Sequence, residues 1–236
     1  MASKANYVIF HPDYARDQVK VTGEAIVGNR LQRKWVGDIW VDAIGNNNED
    51  PFVFNDGWIY SYCHASQLRR KVSTNYLQKD SWLIFCSGDS ANDGVLCIDT
   101  VFQIELVHDW IQKPHLALPT GFKSVRTHNP DLWNRHLKFP FKGQHSSVSH
   151  SYEAALGTSK SFLPLKRNCR LSIDFTDVPS AIRGKIIKNV RGKYPVNLTD
   201  SEASALVSLI RKRCDTQVLR VTDLLNNNIY GKGTTC

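Results

Sequence analysis

The chain has 236 residues, of which 42% are hydrophobic and 22% charged, a composition typical of a globular protein with a substantial core. It carries 30 basic and 22 acidic residues, which gives a formal net charge of +8. No apolar run approaches the roughly 20 residues that a membrane helix needs, and the first residues lack the features of a signal peptide. These properties predict a soluble, cytoplasmic protein without a membrane partner, and they favour nucleic acid as a polyanionic partner.

Most strand candidates lie in the first 110 residues and are joined by loops rich in Gly, Asn, Asp and Pro. The candidates are Tyr7–Phe10, Asp38–Ile44, Phe52–Phe54, Trp58–Tyr62, Trp82–Cys86 and Val95–Ile104. The last two flank a short polar segment with turn residues, so they predict an antiparallel hairpin. Several short strands of this kind predict a small barrel or a strongly curved sheet.

The remainder of the chain divides into a loop-rich middle and a helical end. Five prolines and many Ser and His residues between Lys113 and Leu165 predict long ordered loops, which in compact proteins often serve a site. Thr199 and Glu202 form a capping box before apolar residues at helical spacing, and a second helix is predicted to open near Pro179. We therefore predict an α+β protein, with a β-rich region over residues 1–165 and a basic helical region over residues 166–236 packed on it.

The six cysteines are scattered and have no zinc-finger spacing, so the sequence predicts no metal site. Cys86 and Cys97 lie in the predicted hairpin and are expected to be small buried hydrophobic residues. The usual motifs of ATPases, dehydrogenases, serine hydrolases and zinc proteases are missing from the sequence, and we predict no cofactor.

Basic residues concentrate in three places along the chain. The clusters are Arg183, Lys185, Lys188, Arg191 and Lys193; Arg69, Arg70 and Lys71; and Lys160, Lys166, Arg167 and Arg170. Solvated faces also carry such runs, but phosphate contacts need Lys and Arg distributed along a surface. We assign the first two clusters, without Lys193, to the nucleic-acid backbone.

An aromatic strip is predicted where Trp58, Tyr60, Tyr62 and His64 alternate along one strand, because alternate residues share a face. Such a strip can pack in a core, where Tyr and Trp find partners for their polar atoms. It can also stack unpaired bases, for which nearby cations are an advantage. Asp99, in the second strand of the hairpin, lies either on a solvated face or towards a pocket.

The opening strand NYVIF, the segment WVGDIWV and above all DSWLIFCSGDSANDGVLCIDTVFQIE, followed later by SKSFLPL, resemble the PUA-like and nucleotide-modification-associated domains of phage and bacterial genomes. The resemblance covers roughly the first 165 residues and is strongest in the hairpin. It implies a base-recognising barrel, since EVE and YTH members hold a modified base in an aromatic pocket. No residue of that pocket can be matched in this chain.

A weaker resemblance links Tyr60, Ser61 and Tyr62, followed by the segment from His128 to Asp131, to half-pipe DNA glycosylases that act as restriction enzymes. It implies that a base is flipped and stacked before a carboxylate assists cleavage of its N-glycosidic bond. Asp131 and Asp56 are the leading catalytic carboxylates, with His128 orienting a carboxylate or water. Each also has an ordinary role in a turn or a helix cap.

The sequence therefore predicts a DNA-binding glycosylase that excises a modified base in defence against phage. The alternative is a protein that reads a modified base in DNA or RNA without altering it. A metal-dependent nuclease ranks lower, because no suitable carboxylate cluster is seen in the sequence.

Overall fold

The computed structural model describes residues 3–11, 16–42, 51–54, 57–61, 75–87, 94–109, 122–123, 133, 150–157, 159–188 and 195–225. Within these ranges the protein belongs to the α+β class, with thirteen strands and two α-helices whose bounds are described; residues 122–123 are also helical. Neither described helix is long and apolar enough to span a membrane.

The elements are numbered in chain order. The strands are β1 (Ser3–Lys4), β2 (Asn6–His11), β3 (Arg16–Val27), β4 (Arg30–Asp42), β5 (Ile59–Ser61), β6 (Asn75–Tyr76), β7 (Trp82–Ser87), β8 (Val95–Asp109), β9 (His150–Ala154), β10 (Leu163–Lys166), β11 (Cys169–Asp174), β12 (Val196–Leu198) and β13 (Thr216–Leu224). The helices are α1 (Ser180–Ile187) and α2 (Asp200–Arg213), and a 3₁₀ turn covers Phe175–Asp177.

Eleven strands form one sheet in the order β12-β2-β7-β8-β11-β10-β13-β3-β4, with β9 paired to β8 and β5 paired to β9. Strands β2 and β7 are parallel, and every other pair described in this sheet is antiparallel. The predicted barrel is wrong: the sheet is open, because its edge strands β12 and β4 do not pair with each other. Strand β4 nevertheless contacts β11 without pairing to it, so the sheet curls strongly at this end.

Two apolar cores lie on opposite faces of the sheet. One core lies under both helices and includes Ile182 of α1, Leu206 of α2 and Ile84 of β7. The other contains Tyr7, Phe102 and the residues of the curled end. The predicted capping box of Thr199 and Glu202 is confirmed at the start of α2, where it satisfies main-chain N–H groups.

The predicted hairpin is confirmed: β7 and β8 pair antiparallel over the segments that the sequence indicated. Residue pairing shifts between Phe85 opposite Thr100 and Cys86 opposite Ile98, so Asp99 is the extra residue of a β-bulge. Cys86 and Cys97 are buried thiols outside any disulfide, and their burial was predicted; Cys169 is disulfide-bonded.

The sequence did not predict β3, β9 or the strands of the carboxyl-terminal region. Residues 166–236, expected to be helical, contribute β11, β12 and β13 to the sheet as well as α1 and α2. Strand β3 passes very close to β13 at Gly23, since a Cβ there would lie 2.0 Å from the carbonyl oxygen of Arg220. That close approach requires glycine, and a glycine inside a strand weakens the sequence signal for a strand.

Candidate functional site

The residues predicted to be catalytic, Asp56, His128 and Asp131, lie outside the described residues, and their roles stay predictions. The same holds for Tyr62 and His64 of the aromatic strip, and for Arg69, Arg70, Lys71 and Arg191 among the predicted phosphate contacts. The described ranges do include Trp58, Tyr60, Asp99, Arg183, Lys185 and Lys188.

Trp58 and Tyr60 lie in the core, with 0% and 3% of their surface exposed. The Tyr60 ring packs edge-on against Phe85, with 5.1 Å between centroids, and stacks on Tyr152 at 6.1 Å. This geometry fits the alternative in which the aromatic strip packs in the core. A base could stack on Tyr60 only if the ring left these neighbours.

Asp99 belongs to a buried polar cluster with Ser87 of β7 and Arg170 of β11. The Arg170 Nη1 donates a hydrogen bond to Ser87 Oγ at 2.8 Å, and Ser87 Oγ lies 3.3 Å from Asp99 Oδ1, to which it donates. The guanidinium and the carboxylate are 3.6 Å apart, with 8% and 0% of their side chains exposed. The Asp99 side chain is therefore buried, and Ser87 bridges the two charges.

The cations predicted on α1 are partly engaged in holding the fold. Lys185 forms an ion pair with Glu202 and donates to the carbonyl oxygen of Asn197, which ties α1 to α2 and β12. Arg183 donates to the carbonyl oxygen of Thr176 at 3.2 Å. Lys188 is exposed and stays a candidate phosphate contact.

A different group of cations gathers at the curled end of the sheet. We call it the basic edge, and its exposed members are Arg30, Arg33 and Lys34 on β4, Lys166 and Arg167 at the β10–β11 turn, and Lys212 near the end of α2. None of these six forms an ion pair within the described part of the chain. The sequence grouped Lys166 and Arg167 in one basic cluster, but it did not join them to the other members, which come from distant segments.

Main-chain hydrogen bonds fix the turns of the basic edge relative to one another. The Gly28 N–H of the β3–β4 turn donates to the carbonyl oxygen of Asp215, and the Asp215 N–H donates to that of Leu165, both at 3.0 Å. The Asp215 carboxylate accepts a bond of 2.8 Å from the Arg167 N–H. Register partners Leu165, Thr216, Val27 and Arg30 run across β10, β13, β3 and β4. At a strand spacing of about 4.8 Å, the edge spans at most about 14 Å across these strands.

The cations of β4 also have an ordinary explanation. Strand β4 is an edge strand, and charged residues and bulges on edge strands prevent pairing with other chains. The pairing of β3 with β4 does contain a bulge. Gly23 pairs with Trp35 and Ala25 pairs with Gln32, and Arg33 and Lys34 lie between these two pairs. This explanation does not account for Lys166, Arg167 or Lys212, which lie off the edge strand.

No family model, curated protein or solved structure matches this chain. Among the described residues, no group of three or more His, Cys, Asp or Glu side chains could hold a metal ion.

Proposed function

We propose that the protein binds nucleic acid and contacts its phosphates through the basic edge. The supporting observation is that six exposed cations from three segments lie at one end of the sheet without ion-pair partners in the described part of the chain. Elsewhere, Lys185 and Arg213 are paired with Glu202 and Asp177. Unpaired cations distributed along a surface are what phosphate binding and counterion release need.

Arg167 adds a second argument, which does not depend on counting charges. Its φ of 53° lies in the left-handed region, where a residue other than Gly, Asn or Asp costs roughly 1–2 kcal/mol. Asn168 and Asn29 hold the same conformation in their turns at little cost. An arginine kept at a strained surface position is explained if its side chain has a ligand.

The first test replaces Arg167 by Asn and measures binding to a fluorescently labelled DNA duplex by anisotropy at several salt concentrations. We expect weaker binding, a salt slope lower by about 0.9, and an unfolding free energy equal to or above that of the wild type. Lys20→Gln is the matched control, because Lys20 is an exposed cation nearer the other end of β3. If both variants lose the same affinity for the duplex, the effect comes from net charge and not from the position of Arg167.

The second test separates phosphate binding from protection of the edge strand. The triple variant Arg30→Gln, Arg33→Gln, Lys34→Gln should keep the oligomeric state of the wild type and lower the salt slope by about 2.7. The opposite result is that the variant aggregates while its soluble fraction binds the duplex as the wild type does. In that case the β4 cations prevent pairing of the edge strand with other chains, and they are not phosphate contacts.

Base excision remains part of the proposal, and it rests on Asp56, His128 and Asp131. DNA with and without modified bases is incubated with the protein and then treated with alkali, with EDTA in a parallel reaction. Strand breaks that appear only after alkali support excision, whereas retention of modified DNA without any lesion supports a reader. EDTA-sensitive cutting without alkali would indicate a nuclease instead.

A further inference from the structure

Five of the six cations of the basic edge fall into two exposed rows. Arg30, Arg33 and Lys34 lie at the start of β4, and Lys166 and Arg167 lie at the β10–β11 turn. The ends of β3 and β13 separate the rows, because β10, β13, β3 and β4 are neighbours in that order. The main chains of the two rows are therefore at most about 14 Å apart, which is three strand spacings.

An exposed carboxylate, that of Asp215, lies between the two rows. Main-chain hydrogen bonds of 3.0 Å hold Asp215 between Gly28 on the side of β4 and Leu165 on the side of β10. The carboxylate accepts from the main-chain N–H of Arg167, which is a neutral donor, and it forms no ion pair with any described residue. Its negative charge repels a phosphate placed midway between the rows. Phosphates are therefore expected to follow each row and not to cross from one row to the other.

The described surface has no aromatic ring on which an unpaired base could stack. Within the described ranges, no Trp, Tyr or Phe side chain is exposed. Trp35 adjoins Lys34 on β4, yet it belongs to the core with 6% of its surface exposed, and a Cβ at Gly37 would lie 2.2 Å from its ring. Proteins that hold single strands stack the bases on aromatic side chains. The basic edge offers cations without such rings, which suits the phosphates of a duplex whose bases stay paired.

We propose that the basic edge binds double-stranded nucleic acid astride one groove. The β4 row contacts the phosphates of one strand, the row at the β10–β11 turn contacts those of the other strand, and Asp215 faces the groove between them. The grooves of B-form DNA are about 6 and 12 Å wide, so rows at most about 14 Å apart can contact phosphates on both sides of one groove. This inference rests on the proposed function, and it adds the class of nucleic acid and the placement of its two strands.

The first experiment uses the wild-type chain, so it does not depend on a variant that folds. The anisotropy of a labelled DNA duplex, and of each of its separated strands, is measured at the same salt concentration. We expect the duplex to bind at least about tenfold more tightly, because a single strand occupies only one row and finds no ring to stack on. Single strands that bind as tightly as the duplex would overturn the inference and leave the proposed function standing. If neither the duplex nor its strands bind, both are wrong.

The second experiment tests the carboxylate between the rows with Asp215→Asn. The amide keeps an oxygen that can accept from the Arg167 N–H, so the turn is retained while the negative charge is lost. The affinity for single strands should rise about threefold more than that for the duplex, because a single strand can then cross between the rows. Asp223→Asn, at the other exposed end of β13, is the matched control and should change both affinities equally. Equal changes in Asp215→Asn as well would overturn the placement of phosphates on either side of Asp215.

The third experiment locates the two rows on the duplex. Blocks of neutral methylphosphonates replace the phosphates of one strand at a time, and the affinity of the wild type is measured for each block. We expect one sensitive block on each strand, facing each other across a groove, with losses of about threefold to tenfold. Arg33→Gln should remove the sensitivity to one block and Arg167→Asn the sensitivity to the other, whereas Lys20→Gln should keep both. Sensitivity confined to one strand, or removed at the same block by both variants, would overturn the inference.

Discussion

Breaking the Asp99–Arg170 pair from one side should be among the most destabilising changes available in this fold. Arg170→Met leaves a carboxylate with 0% side-chain exposure facing Ser87 without its cation. Removing one partner of a buried pair costs about 3–5 kcal/mol, because the remaining charge stays buried and loses that partner. For a domain of this size that corresponds to a fall in melting temperature of about 6–20 °C.

The double variant Asp99→Asn, Arg170→Met should recover most of this loss. With both charges gone, no desolvated ion remains, and the cost falls to the loss of the hydrogen bonds through Ser87, about 1–2 kcal/mol. The two single variants and the double variant form a double-mutant cycle, in which single losses of about 3–5 kcal/mol each and a double loss of about 1–2 kcal/mol give a coupling energy of at least about 4 kcal/mol.

Urea unfolding at neutral pH measures all four proteins, and circular dichroism shows whether each is folded before denaturant is added. Single variants that lose less than about 1 kcal/mol would refute the reasoning, because solvent or a rearranged side chain would then compensate the remaining charge. If the double variant is as unstable as the less stable single variant, the stability is lost through packing and not through an unpaired charge.

Three further predictions follow from other parts of the fold. Gly23→Ala should cost about 3 kcal/mol or more and give little soluble protein, because its Cβ would lie 2.0 Å from a main-chain oxygen of β13; a melting curve like the wild type would contradict this. Burial raises the pKa of Glu202, but hydrogen bonds from Lys185 and the Thr199 N–H outweigh it, so the pKa is lowered overall. Its contribution to stability is therefore present above about pH 4.5 and lost as the pH falls through the lowered pKa, and Glu202→Gln should flatten the acid side of a urea-stability profile. Burial raises the pKa of the Cys214 thiol to about 11, so iodoacetamide at pH 8 should modify it far more slowly in the folded protein than in urea, as mass spectrometry would show.

Local sequence signals were sufficient where neighbours in the chain supply the interactions. The β7–β8 hairpin follows from two apolar runs around a polar turn, and α2 follows from a capping box and helical spacing. Strands such as β13 could not be recognised in the same way. Its charged and polar residues alternate irregularly with buried ones, and only pairing with β3 and β10 makes it a strand.

The candidate site shows the same division. The sequence indicated Asp99 as a residue of interest and Arg170 as one of several cations, but their pairing joins β8 to β11 across 71 positions of the chain. The bulge that turns Asp99 inward arises from a shift in register, which composition does not reveal. The basic edge likewise combines cations from β4, the β10–β11 turn and α2, which are far apart in the chain.

The sequence by itself determined a mixed α+β protein with excess positive charge, because composition, turn residues and helix caps act over a few neighbouring residues. The tertiary structure decided that the sheet stays open, that Trp58 and Tyr60 lie in the core, and that unpaired cations meet at one end. These outcomes depend on strand order and on which distant segments share a face. Local propensity carries no information about either.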